Sequence, residues 1–142
     1  MLFLFKNAWS LLLGMLLLMV GNGLQGTLLG IRGSIEGFSP GVMAYIMSAY
    51  MLGMIAGSRA APILISNVGH VRVFAALASL ISASFIGFAI FVDPIAWFCL
   101  RLCVGFCFSG VYVASESWLN EAASNENRGK IMSVYMIIQM TG

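Results

Sequence analysis

Arg101 demands more of its surroundings than any other residue in the chain. It is the only charge set well inside an apolar run, which covers residues 94–115. A guanidinium at the centre of a membrane helix costs about 2.5–3.5 kcal/mol by insertion scales, so it normally faces a helix partner or a water-filled cavity. In the runs at 8–31 and 37–58 the polar residues Asn22, Gln25 and Ser48 fall at comparable depth. At 1.5 Å per helical residue, Arg101 and Ser48 lie about 10 Å and Gln25 about 9 Å from the same end of their segments. Asn22 follows one turn deeper, on the face of Gln25. These four residues are expected to share one slab and to line part of a polar pathway. The other reading of Arg101 is that it caps interhelical hydrogen bonds or snorkels toward the headgroups.

The remaining candidates for chemistry are weak. Cys99, Cys103 and Cys107 recur every fourth residue inside one apolar run, which places them on one helix face. Thiolates bind soft metals, yet successive turns separate these by about 6 Å each, too far apart for one tetrahedral site without outside ligands. They are expected to be packing residues. His70 is the only histidine. No nucleophile–base pair, metal cluster or phosphate-binding loop is visible, so neither an enzyme nor a bound cofactor or metal is expected.

The elements that must carry these residues are read from composition. The 142 residues are 61% hydrophobic and only 8% charged, against about 25% charged in a typical soluble domain. So few charges cannot coat a globule in water, and the apolar excess must face lipid. A net charge of +2, with basic residues that never cluster, argues against nucleic acid. A span needs about 20 apolar residues. Four segments qualify, at approximately 8–31, 39–60, 73–92 and 94–117, and a fifth apolar run occupies 130–142. The fifth is too short to cross and is expected to be truncated. The fold class is therefore an all-α integral membrane protein, with four complete transmembrane helices plus a truncated fifth. Lys6 before the first run invites a secretory-signal reading, but that run is longer than a signal core and further spans follow it.

Orientation follows from basic residues near span ends. With the N-terminus cytoplasmic, Lys6, Arg59, Arg72, Arg128 and Lys130 lie inside and only Arg32 outside. The expected location is the cell (inner) membrane, multi-pass, with inside loops at 59–72 and 120–130. Gly26 and Gly30, Gly53 and Gly57, and Gly105 with Gly110 offer small-residue faces for close helix approach. Trp9, Trp97 and Trp118 fall near span ends, where indoles prefer the interface.

These segments together resemble a known family. Arg101-Leu102-Cys103-Val104-Gly105, followed by Gly110, is similar to the Arg-x-x-x-Gly signature of the major facilitator superfamily. The stretch from Glu116 through Trp118 to Glu121, then Arg128-Gly129-Lys130, resembles the loop between that family's fourth and fifth helices. Glu36-Gly37-Phe38-Ser39, Ser48-Ala49-Tyr50 and the run from Val68 to Ala75 are similar to a bacterial branch, the YcaD-type transporters. The resemblance covers essentially the whole chain. It implies most of the N-terminal half of a twelve-helix bundle, working by alternating access with the remainder of the same transporter chain. The implied partners are the lipid bilayer and a small-molecule substrate, with protons as a candidate coupling ion.

One departure matters. The family's loop between helices two and three usually reads Gly-x-x-x-Asp-Arg-x-Gly-Arg, whereas here Ser66 stands at the Asp position, and Gly69 is kept with Arg72 nearby. A cytoplasmic charge lock would have to use Glu116 or Glu121 with Arg72 or Arg128, beside Gly129; otherwise these are solvated loop charges. The function expected is a secondary active transporter of a small solute or drug. The alternatives are a non-transporting membrane scaffold and a small four-helix multidrug exporter. The exporter needs a carboxylate within the first helix, and residues 8–31 contain none.

Overall fold

The computed structural model describes the backbone of residues 2–141 and the side chains of Lys6 and residues 8–141. Gly142, the last residue of the expected fifth segment, lies outside that range. Five helices follow one another: α1 Leu2–Ile35, α2 Pro40–Val68, α3 His70–Ile90, α4 Pro94–Ala122 and α5 Arg128–Thr141. No strand occurs among the described residues. The first four are long and apolar enough to cross a membrane, and the chain is a multi-pass membrane protein. The 14 residues of α5 reach only about 21 Å.

The helix ends have local causes. Gly37, at φ 79°, adopts a left-handed conformation open to glycine, and the Phe38 N–H bonds back to the Gly33 carbonyl at 2.9 Å. Ser39 then caps α2, its Oγ accepting from the Val42 N–H at 3.3 Å, with Pro40 at the first position, where a missing N–H costs nothing. Gly69, at φ 100°, is the sole residue separating α2 from α3. Pro94 starts α4 in the same manner as Pro40 starts α2.

Hydropathy suggests an inside loop at 59–72, whereas α2 continues through Arg59 and Pro62 to Val68. The apolar count sees only the hydrocarbon layer, whereas the helix runs on until a residue breaks it. Pro62 does not do so, because a membrane helix tolerates one missing N–H. Ser58 and Ser66 bond to the carbonyls of Ile55 and Ile63, each at 2.8 Å. The second loop likewise ends earlier, at Arg128.

Packing divides the chain into two units, Met1–Leu29 with Ser115–Gly142, and Gly30–Ala114. In the first, Ala8, Leu12, Met15 and Met19 form the buried stripe of α1, and Leu119, Tyr135 and Ile138 are buried on α4 and α5. The Ser115 hydroxyl donates to Met15 Sδ at 3.2 Å. The opposite face of α1, with Leu13, Leu17, Val20 and Leu24, is exposed. Both faces are therefore apolar, as a lipid-facing helix requires.

In the second unit the buried line of α2 is Ile46, Ala49, Gly53, Gly57 and Ala61. Val73, Leu77, Ile81 and Phe88 face inward from α3, and Val104, Cys107, Phe108 and Val111 from α4. Trp97, in the first turn of α4, is fully buried. Its ring meets Phe38 edge-on at 5.1 Å and Phe88 at 6.0 Å, and its Nε1 donates to the Phe91 carbonyl at 2.7 Å. The indole thus satisfies its polar atom on the α3–α4 turn. Trp9, by contrast, is 67% exposed.

Candidate functional site

The site begins with three glycines in the second unit. A Cβ on Gly53 would strike the Leu102 carbonyl oxygen and come within 2.8 Å of the Phe106 nitrogen. One on Gly57 would strike the Phe106 carbonyl oxygen, and one on Gly105 the Tyr50 carbonyl oxygen. The obstacles are mostly backbone, so α2 and α4 touch main chain to main chain. Only glycine permits that separation. Gly26 and Gly30, by contrast, have nothing within 4 Å of where a Cβ would sit. The close approach expected for α1 is not made there.

This seam fixes Arg101, one turn before Gly105, against Tyr50, three residues before Gly53. The guanidinium carbon lies 4.7 Å from the centroid of the Tyr50 ring. The side chain is only 8% exposed. Its Nη2 donates to Met47 Sδ at 3.6 Å, a thioether being a weak acceptor. Its Nε and Nη1 are buried with no hydrogen-bond partner among the described residues. The guanidinium lies over a ring carried about 15 Å along α2 from Pro40. Phe108 follows at 6.5 Å from Tyr50, and Tyr112 at 6.2 Å from Phe108. An aromatic file thus leads away from the cation.

The electrostatics are incomplete. A desolvated cation–π contact returns about 2 kcal/mol, less than the cost of placing the guanidinium in hydrocarbon. The acids of this unit, Glu36 and Asp93, are both exposed, at the ends of helices. A planar fork of N–H donors therefore lies in an apolar seam with no carboxylate against it among the described residues. Such a group can receive an anion or a strong acceptor.

The other expected pathway residues divide. Ser48 is exposed and bonds within its own helix, to the Ala44 carbonyl at 2.7 Å; Met47 and Tyr50, not Ser48, meet Arg101. Asn22 and Gln25 belong to the first unit and are half-buried on α1. Asn22 Oδ1 is buried without a hydrogen-bond partner among the described residues. Of the cysteines, Cys107 is buried, Cys103 is half-buried and accepts from Ser84 Oγ at 3.7 Å, and Cys99 is exposed.

Of the cytoplasmic candidates, Glu116 accepts from the buried Tyr135 hydroxyl at 3.2 Å, and Gln139 Nε2 donates to that hydroxyl at 2.9 Å. Arg128 Nη2 reaches the Asn120 carbonyl at 3.4 Å. Glu116 and Arg128 are thus each engaged elsewhere. Glu121 lies exposed in the last turn of α4, Arg72 lies exposed in the first turn of α3, and Gly129, in the first turn of α5, has open space where a Cβ would sit. Sequence reasoning missed Tyr50, Met47, Tyr135 and Gln139 as partners. A hydroxyl-bearing aromatic in an otherwise apolar stripe was the available signal for both tyrosines.

The profile of the Major Facilitator Superfamily matches residues 2–142. The chain is 24% identical over 132 residues to the "Uncharacterized MFS-type transporter YcaD" of Escherichia coli O45:K1 (strain S88 / ExPEC), covering 93% of this chain and 35% of that protein. The figures are the same for the protein of that name from Salmonella arizonae (strain ATCC BAA-731 / CDC346-86 / RSK2980). The chain spans about a third of the length of these curated relatives. No solved structure matches it.

Proposed function

This chain belongs to the major facilitator superfamily, and on that premise we propose that it forms part of a secondary active transporter moving a small solute or drug across the cell membrane by alternating access. It supplies the N-terminal part of the bundle, with hydrocarbon-embedded spans at approximately 8–31, 39–60, 73–92 and 94–117 and the fifth starting near 130. The observation that carries the reading is Arg101: a buried guanidinium with two nitrogens unpartnered among the described residues, at a depth where a structural role would have supplied acceptors. A scaffold gains nothing from an unsatisfied buried cation, whereas a pathway that takes up a polar solute does. Asn22, Gln25 and Ser48 are the further pathway positions, assigned by depth along their helices.

The N-terminus is placed in the cytoplasm by the bias of basic residues, five against one. Gating on that side falls to the region of Gly69 and Arg72 and to Glu116, Glu121, Arg128 and Gly129. Glu116 is held by Tyr135, so a lock through it would exchange a hydroxyl for a cation as the bundle rocks. Protons are the coupling ion we favour.

The test is Arg101→Ala in the protein that carries these residues, expressed at matched membrane level. Untargeted mass spectrometry of solutes inside and outside the cells should show a difference on wild-type expression that the substitution removes. Wild-type and variant cells with the same altered solute profile would end the reading.

A further inference from the structure

Arg101 carries a full positive charge at 8% exposure, and its contacts are a tyrosine face and a thioether. Neither is a counter-ion. The five acids of the chain are Glu36, Asp93, Glu116, Glu121 and Glu126, and none falls within residues 8–31, 37–58 or 73–92. The two acids of Arg101's own unit are exposed at helix ends. Low dielectric strengthens any attraction between this cation and an anion that arrives beside it. It also makes the unpaired state costly.

We infer that the solute recognised at Arg101 carries a carboxylate, which completes the guanidinium's hydrogen bonding and neutralises its charge. The inference rests on the transporter reading above and names the substrate class of that same site. The donor set suits this ligand. The guanidinium is planar and presents paired N–H groups that match two carboxylate oxygens. Among the described residues Nε and Nη1 are uncommitted, and Nη2 is held by Met47 sulfur at 3.6 Å, an acceptor that a carboxylate oxygen outcompetes. Tyr50 keeps the fork in place while the ligand is absent, through its ring face. The Phe108 and Tyr112 rings beyond it provide an apolar wall for the body of an organic acid. In this conformation the two nitrogens are covered, so entry requires the side chain to leave the ring or the seam to open. A gated site behaves in that way.

The test uses the purified protein in dodecyl maltoside, whose headgroup carries no phosphate, so that lipid cannot supply the anion. Three probes of one shape and different charge are titrated: benzoate, benzamide and benzamidinium. Binding is read by tryptophan fluorescence, Trp97 standing one turn from Arg101 on α4. Benzoate should give a saturable signal, with benzamide and the cation bound at least about tenfold more weakly, the loss expected for one charge-assisted hydrogen bond. Arg101→Gln should lose benzoate binding, with unchanged elution volume and helical content. Should that variant not fold, Arg101→Lys keeps the charge without the fork and should weaken benzoate while retaining its preference over benzamide. Failure of benzoate to bind wild type, or equal binding of all three probes, overturns the carboxylate assignment. The solute-profile experiment with Arg101→Ala decides the transporter reading separately. An Arg101-dependent neutral or cationic solute found there would leave a transporter of a different substrate class.

Discussion

Replacing Gly53 by alanine adds one methyl group, and its consequence can be worked out from the seam. The new Cβ would strike the Leu102 carbonyl oxygen and lie 2.8 Å from the Phe106 nitrogen. Both are main-chain atoms that no rotamer change can move, so α2 and α4 must separate by roughly 1 Å to restore ordinary contact. A gap of that size forfeits a quarter to a half of each close atom pair, and some thirty pairs of about 0.15 kcal/mol lose about 1.5 kcal/mol together. Loosening the Arg101–Tyr50 contact costs about 1 kcal/mol more. Alanine's better helix propensity offsets about 1 kcal/mol. The net loss is about 1.5 kcal/mol, or roughly a tenfold drop in the folded-to-unfolded ratio. Gly30→Ala is the control: nothing lies within 4 Å of its Cβ, so it should gain up to about 1 kcal/mol. Reversible unfolding of the two variants in detergent, followed by helical circular dichroism, measures the difference. Equal stability of Gly53→Ala and Gly30→Ala would refute the main-chain seam and the placement of Arg101 that depends on it.

Three further outcomes follow from the same contacts. Tyr50→Leu removes the ring under the guanidinium and should cost about 1–2 kcal/mol of stability in detergent, whereas Tyr50→Phe keeps the ring and should cost less; equal losses would make the contact incidental. Gly69→Ala has open space for its Cβ but a φ of 100°, so backbone strain alone should lower stability by about 1–3 kcal/mol, while Gly41→Ala, also in open space but helical, should not lower it. If Glu116 and Arg128 form a lock in another conformation, exchanging them as Glu116→Arg with Arg128→Glu should restore transport lost in each single variant. Failure of the exchange would leave Glu116 as a partner of Tyr135 and nothing more.

Much of the fold was legible because a bilayer sets its own ruler. Four stretches of span length could be counted without knowing what they pack against. Helix ends were less so. The 59–72 segment looked like a loop because Arg59 interrupts the apolar run, yet a helix accepts a surface arginine and a proline and stops only where Gly69 turns it. The glycine repeats show the same limit. Their spacing is alike in α1 and α2, but only Gly53, Gly57 and Gly105 have a backbone opposite them, and spacing alone does not say which face meets a neighbour. Arg101 stood out because charge is rare in such a run. Its partners did not, because a tyrosine and a methionine in a membrane helix read as bulk until the guanidinium is seen lying on one ring and touching one sulfur.

Cysteine accessibility in intact cells tests the threading on which the whole account depends. With Cys99, Cys103 and Cys107 replaced by alanine, single cysteines are introduced as Ser34→Cys, in the last turn of α1, and Asn125→Cys, between α4 and α5. A membrane-impermeant maleimide should label position 34 in intact cells and position 125 only after permeabilisation. Labelling of 125 from outside, or of both positions alike, would contradict four crossings with a cytoplasmic N-terminus.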